Sequence, residues 1–119
     1  MQYVDGYVLP VPTRNLSAYR RMSQKAARIW REHGALEFRE TAGDDLENPY
    51  GTSFPDLVKP KRGETVVFSW IVFKSRAHRD AVNRKVMSDP RLAEMMEMKK
   101  MPFDPKRMAW GGFKTMIEA

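Results

Sequence analysis

The chain of 119 residues contains no cysteine. This excludes disulfide bridges, thiolate nucleophiles and cysteine-based zinc or iron–sulfur sites, so stability has to come from packing. No apolar run approaches the ~20 residues that cross a bilayer, and the N-terminal stretch MQYVDGYVLPVP lacks the basic and long apolar regions of a signal peptide. We expect a single domain over residues 1–119 in a soluble, cytoplasmic protein without a membrane partner.

The sequence also lacks the short motifs that accompany common enzyme chemistries. It has no nucleophile elbow, phosphate-binding glycine loop, paired-carboxylate signature or dinucleotide fingerprint. The two histidines, His33 and His78, have no companion glutamate at ligand spacing, so we predict neither a metal site nor a cofactor.

Basic residues outnumber acidic residues, 21 to 15, which gives a formal net charge of +6. Such an excess favours anionic partners such as nucleic acid, whereas on solvated helix faces it needs no partner at all. Both interpretations stay open at this point. The basic residues that a nucleic-acid surface would use lie on one predicted helix and are Arg20, Arg21, Lys25, Arg28 and Arg31.

Residue periodicity divides the chain into strands and helices. Residues 2–10 alternate as in a strand, and residues 14–33 have helical spacing with Thr13 or Asn15 as N-cap and Gly34 after the end. Residues 43–63, rich in proline and glycine, predict a long, lid-like loop. The remaining predicted elements are a strand at 35–41, a strand at 65–74, a helix at 76–87 capped by Ser75, a short helix from Asp89-Pro90 to about 98, and a strand at 107–116 with Gly111-Gly112 at a bulge or close approach.

This order predicts an α+β fold, the ferredoxin-like split βαβ arrangement, with a four-stranded antiparallel sheet in the order 4-1-3-2 and both helices on one face. The third strand is unusual because Val66–Phe73 is apolar at seven of eight positions. Both of its faces therefore need to be covered, and an exposed apolar face would favour aggregation. A second copy of the sheet is the simplest cover, so we predict a homodimer that pairs as a dimeric α/β barrel.

Four stretches of the chain also resemble a known family. They are YVDGYVLPVP at 3–12, REHGALEF at 31–38, ETVVFSWIVFKSRAHRDAVNRKVMSDPR at 64–91 and MPFDPKRMAWGGFK at 101–114. On these residues the chain is identified as a member of the YbaA-like family of uncharacterised bacterial proteins. The resemblance implies a ferredoxin-like subunit of the dimeric α/β-barrel superfamily and implies no activity. Fold kinship alone does not carry a function.

The tripeptide His78-Arg79-Asp80 raises the question of catalysis. A helical wheel directs His78 towards the sheet and places Arg79 and Asp80 on the solvent side. Since imidazole titrates near neutral pH, His78 is a candidate acid or base. Asp5 is a second candidate, because a carboxylate on a central strand has to be paired or shifted in pKa. Arg107 is the structural partner we expect for it.

Aromatic side chains near these groups suggest a ligand pocket between sheet and helices. The residues predicted to line it are Tyr7, His33, Trp70 and Trp110. The leading hypothesis is a protein that binds a small metabolite, or acts on it without a cofactor. The alternatives are a nucleic-acid-binding protein that adds Arg76, Arg79 and Arg84 to the basic helix, and a purely structural dimer.

Overall fold

The computed structural model describes residues 1–97 and 101–119 and has eight helices and strands with two short 3-10 turns between them. The strands are β1 (Tyr3–Pro12), β2 (Glu37–Ala42), β3 (Glu64–Phe73) and β4 (Ala109–Lys114). The helices are α1 (Leu16–Glu32), α2 (Phe54–Val58), α3 (Arg76–Met87) and α4 (Pro90–Met96). The 3-10 turns are Thr13–Asn15 and Pro105–Arg107. No helix among the described residues combines the length and apolar character that crossing a membrane requires.

The four strands form one antiparallel sheet in the order β2-β3-β1-β4. The predicted α+β class, the four-stranded antiparallel sheet and its strand order are therefore confirmed. The central pair β1 and β3 is in register from Tyr3 opposite Phe73 to Pro12 opposite Glu64. Because side chains alternate across a strand, odd-numbered residues of both strands face the helices and even-numbered residues face the other side.

Two clusters make up the core between the helices and the sheet. The larger joins Ile29 of α1, Val82 and Val86 of α3, and Ile71 and Phe73 of β3. The smaller places Tyr19 of α1 on Leu9, Val11 and Val67. Each helix therefore buries one apolar stripe on the odd-numbered side of the sheet, which fixes the space between α1 and the strands.

Local signals set the helix ends. Ser75 accepts a hydrogen bond from the N–H of His78, and Asp89 accepts one from the N–H of Arg91 in front of Pro90. Gly34 ends α1 with φ of 118°, a conformation that favours glycine. Asn15, one of the two predicted N-cap residues, stands at the N-cap of α1, but its side chain makes no capping bond and donates to the carbonyl of Pro102 instead. The predicted end of the last helix near residue 98 lies outside the described residues.

The loop at 43–63 partly covers the even-numbered face of the sheet. It contains α2, capped by Ser53, and the ring of Phe54 packs 5.9 Å from that of Phe68. The N–H of Gly43 donates to the carbonyl of Val66, which ties the start of the loop to β3. Phe68 and Phe113 nevertheless stay 44% and 63% exposed on this face. The loop therefore covers one end of the apolar face and leaves the rest open.

Gly112 in β4 allows a close approach between this edge strand and the side chain of Tyr3. A Cβ atom at residue 112 would lie 2.7 Å from Cε2 of Tyr3 and closer still to its hydroxyl, whereas one at Gly111 would meet nothing within 4 Å. Tyr3 is buried in the core and cannot swing into solvent without cost. The close approach predicted for this glycine pair is thus confirmed at Gly112.

We predict that Gly112→Ala lowers the free energy of unfolding by about 1–3 kcal/mol, because the added methyl group displaces the Tyr3 ring. The matched variant Gly111→Ala, where the space is open, should change it by no more than about 0.5 kcal/mol. Urea denaturation of the two variants and the parent measures this difference. Equal destabilisation by both would show that Tyr3 does not restrict residue 112.

Candidate functional site

A buried ion pair joins strand β1 to helix α3. Asp5 has no solvent-exposed surface, and its Oδ1 accepts a hydrogen bond from Nη1 of Arg79 at 3.2 Å. Nδ2 of Asn83 lies 3.5 Å from the other carboxylate oxygen. The Arg79 guanidinium also lies over the Tyr3 ring, 5.0 Å from its centre, with Nη2 3.4 Å from the Tyr3 hydroxyl. One arginine thus pairs with a buried carboxylate and covers an aromatic ring.

The cost of burying Asp5 and Arg79 is compensated only in part by their hydrogen bonds and ion pair. Burial raises the pKa of Asp5, while the charge of Arg79 and the Asn83 hydrogen bond act in the opposite direction. Nε of Arg79 lies 2.9 Å from Oδ1 of Asp80, but its N–H is buried and not aligned with an acceptor. The buried carboxylate of Asp5 therefore depends on Arg79 for charge neutrality.

An inner cavity of about 220 Å³ adjoins this network, between the odd-numbered face of the sheet and helices α1 and α4. Trp30 lines the cavity, and its Nε1 donates to Oδ1 of Asn83 at 3.1 Å, which links the cavity wall to the Asp5 network. Most of the remaining wall is apolar. The lining includes Tyr7, Tyr19, Met22, Ser23, Ala26, Phe38, Glu40, Ser69, Ile71, Leu92, Met95, Met96, Met101, Phe103 and Met108.

An outer cleft of about 480 Å³ lies beside the inner cavity, along α1 and β2. The two spaces share Tyr19, Ser23, Phe38 and Glu40 in their linings. The Tyr19 hydroxyl donates to Oε1 of Glu40 at 2.8 Å. Burial raises the pKa values of Glu40 and Tyr19, so both groups stay in their neutral forms to higher pH than usual. Glu40 and Tyr19 therefore place a polar pair at the boundary of the two spaces.

Comparisons with known proteins agree on the family. A family model described as "Protein of unknown function (DUF1428)" matches residues 2–105. The chain belongs to this family. It is 48% identical over 118 residues to the uncharacterised protein YbaA of Escherichia coli K12, with 99% of both chains covered, and equally to YbaA of Shigella flexneri. The structure of Rv0793 from Mycobacterium tuberculosis matches with a TM-score of 0.59 at 13% identity, covering 100% of this chain and 99% of that one, which shows the fold alone.

In this DUF1428 chain the sequence-predicted site residues fall into separate places. Asp5 and Tyr7 lie on the same side of β1, and Trp110 stacks on Tyr7 with 6.1 Å between ring centres while it remains 59% exposed. Trp70 of β3 also borders the inner cavity. Because side chains alternate across a strand, however, its indole lies on the even-numbered face of the sheet, where Nε1 donates to Glu37 at 3.3 Å. Tyr7 and Trp70 therefore both border the inner cavity, Trp110 does not, and the three rings do not come together in one pocket.

The two histidines have partners at helix ends. His78 is half-buried against Phe73, and its Nδ1 accepts a hydrogen bond from the N–H of Lys74 at 2.9 Å. Together with Ser75 this forms a reciprocal cap at the start of α3. Nε2 of His33 lies 2.8 Å from Oδ2 of Asp89, which joins the ends of α1 and α4. Neither histidine is among the residues that line the inner cavity.

The structure corrects two predictions, the direction of the Arg79 side chain and the partner of Arg107. Arg79, predicted on the solvent side of α3, points under the helix because Asp5 requires a cation, and the helix stripe that faces the sheet contains Arg79, Val82, Asn83 and Val86. Arg107, expected to pair with Asp5, instead donates to both carboxylate oxygens of Glu64 at 2.6 and 3.0 Å. Of the two residues Arg79 and Asp80, Asp80 alone is exposed as predicted.

The basic surface predicted for nucleic acid loses one member in the DUF1428 chain, because Arg79 pairs with Asp5. The five basic residues of α1 are exposed, namely Arg20, Arg21, Lys25, Arg28 and Arg31. Arg31 also donates to the carbonyls of Ala35 and Leu36. Among the described residues no group of three or more acidic, histidine or cysteine side chains is arranged to hold a metal ion.

Glu40 is the site residue that the sequence analysis missed. It lies two residues after Phe38 on β2. Because side chains alternate across a strand, Glu40 and Phe38 both face α1. A glutamate that shares the inward face of a strand with a phenylalanine was the signal available in the sequence. The sequence predicts a strand at 35–41 and no site residue on it.

We predict that Arg79→Met destabilises the fold in a pH-dependent way. Burial raises the pKa of Asp5, so its contribution to stability is largest at low pH and declines as pH rises through that pKa. Without Arg79 the pKa of Asp5 rises further. The loss relative to the parent should therefore be small in acid and reach about 3–5 kcal/mol near neutral pH, measured by urea denaturation.

Two further variants control this prediction. Asp5→Asn combined with Arg79→Met removes both charges and should recover most of the neutral-pH loss. Arg84→Met, at an exposed position of the same helix, should change stability by no more than about 0.5 kcal/mol. A loss for Arg79→Met that is the same at acid and neutral pH would contradict the ion-pair account.

Proposed function

We propose that the protein binds a small, largely apolar molecule in the inner cavity between the sheet and helix α1. The observation that carries the proposal is a cavity of about 220 Å³ with an apolar wall and a few polar groups at one side. Small-molecule sites have this composition. An apolar cavity of ~150 Å³ already accepts a benzene-sized guest, so the volume suits one substituted ring.

The polar groups of the cavity support binding of a specific molecule over filling by core side chains. Ser23 and Ser69 are buried in the wall, and Tyr7, Tyr19 and Glu40 add two hydroxyls and a carboxyl. A cavity whose only purpose was packing would not need five polar side chains, because each costs desolvation free energy. The methionines Met95, Met96 and Met101 supply side chains that adapt to a guest.

Filling the cavity should abolish this binding. Ala26 of α1 is half-buried and lines the inner cavity, so Ala26→Met places a longer side chain in the space that a guest would occupy. We expect the parent to bind indole or nitrobenzene with saturation in calorimetry. At about a hundred times its Kd a guest raises the free energy of unfolding by about 2.7 kcal/mol, and Ala26→Met should lose this effect.

The matched control for that experiment is Ala18→Met. Ala18 is also a half-buried alanine of α1, but it lies outside the lining of the inner cavity. It should bind the probes as the parent does. Absence of saturable binding to the parent, or equal binding by Ala26→Met, would overturn the proposed site.

We also propose that two copies pair through the even-numbered face of the sheet as a dimeric α/β barrel, in the cytoplasm. The support is the exposed apolar area that α2 leaves uncovered, with Phe68 and Phe113 at 44% and 63% exposure. Apolar area removed from water contributes ~25 cal/mol per Å². A second sheet of the same composition is complementary to this surface.

Light scattering should therefore give the mass of a dimer for the parent and of a monomer for Phe113→Glu, since the charge would be buried without a partner in the pair. Lys114→Glu, on the neighbouring residue that alternation directs to the other face, serves as the control and should remain dimeric. A monomeric parent at micromolar concentration would refute the pairing. Unchanged circular dichroism would show that Phe113→Glu keeps its fold.

A further inference from the structure

Glu40 is the one acidic side chain that lines both the inner cavity and the outer cleft among the described residues. Strand β2 holds it on the helix-facing side, opposite Ser69 of β3. The Tyr19 hydroxyl donates to it at 2.8 Å, and Ser23 and Ser69 line the inner cavity with it. Helix α1 and strand β2 thus orient this carboxylate.

The carboxyl group is less hydrated than its place on an edge strand suggests. The residue as a whole is exposed, because β2 has no neighbour on one side, but the carboxyl itself turns inward to α1. Burial raises the pKa of Glu40 while Tyr19, Ser23 and Ser69 oppose the rise. A carboxylate has about four acceptor positions, so the bond from Tyr19 leaves positions for a guest.

We propose that Glu40 is the polar anchor of the inner cavity, and that the cavity takes a neutral single-ring aromatic molecule whose hydroxyl or N–H group donates to this carboxylate. This inference rests on the proposed binding function and adds the class of ligand. The apolar wall and the volume of about 220 Å³ fit the ring. The carboxylate, in surroundings of low polarity, selects a donor and repels an anion.

Tyr7 supplies a second polar contact for the same ring. No hydrogen bond joins its hydroxyl to another of the described residues, although the side chain lines the cavity. Burial raises the pKa of Tyr7, with a further contribution from the charges of Asp5 and Glu40, so the hydroxyl keeps its proton. A ring with a donor towards Glu40 and an acceptor elsewhere, such as a nitrophenol, therefore matches both groups.

The probes that test this inference are 4-nitrophenol and nitrobenzene, which differ by the hydroxyl donor. At a pH where the phenol is neutral and Glu40 is ionised, the parent should bind 4-nitrophenol about tenfold or more tightly than nitrobenzene. Because the carboxylate disfavours the phenolate, the pKa of bound 4-nitrophenol should be higher than that of the free phenol. The visible absorbance of the phenolate reports this directly.

Glu40→Gln keeps the size of the side chain and removes its charge. It should lose the tenfold preference and the raised pKa of the bound phenol, while it binds nitrobenzene as the parent does. The matched control is Glu47→Gln, at an exposed position of the loop outside both linings. It should behave as the parent in both measurements.

Tyr19→Phe provides a second variant with a different signature. Binding of the phenol requires an ionised Glu40, so affinity should fall in acid with the titration of that carboxyl. Tyr19 lowers the pKa of Glu40 through its hydrogen bond, so this variant should move the acid limb of the binding curve to higher pH.

The charged or titratable residues that line the two spaces among those described are Tyr7, Tyr19, Arg20, Arg39 and Glu40.

The outcomes separate the two proposals. Binding of both probes by the parent with equal affinity, or a preference that Glu40→Gln retains, would overturn Glu40 as the anchor and leave the binding cavity standing. If neither probe binds with saturation, the cavity proposal fails together with this one. The tenfold preference, lost only in Glu40→Gln and shifted in pH by Tyr19→Phe, supports the inference.

Discussion

The ion pair between Asp5 and Arg79 is the constraint on which the arrangement of this protein depends. A carboxylate without solvent contact on the central strand has to be neutralised from the helix layer. Arg79 does so, and Asn83 from the same helix adds a second donor. This fixes the rotation of α3 over the sheet. Trp30, which binds Asn83, then fixes the adjacent face of α1 and with it one wall of the inner cavity.

Much of the fold could be predicted from the sequence because periodicity and capping are local signals. The doubly apolar strand β3, the caps at Ser75 and Asp89, and the glycine after α1 all have direct physical reasons in a few neighbouring residues. The order of the strands then follows from the order of the elements. Helix and strand ends differ by one to several residues, as at residues 107–116, of which only Ala109–Lys114 is strand.

The candidate site was less predictable because its contacts are long-range. Asp5 and Arg79 are 74 residues apart, and a charge at an inward helix position looks like a surface residue until its partner is known. Arg107 was the wrong partner for Asp5 because it precedes β4 in a 3-10 turn, where Glu64 is within reach. Glu40 was missed for a related reason, since its inward direction depends on the pairing of β2 with β3.

The position of Glu40 on an edge strand bears on how a guest would enter the cavity. Among the described strands, β2 has only β3 as a hydrogen-bonded neighbour, so it can separate from the sheet at lower free energy than the central strands. The buried residues of the two core clusters come from other elements, and Phe38 is the residue of β2 that packs against them. Local fraying of this strand would then widen the way into the proposed site without global unfolding.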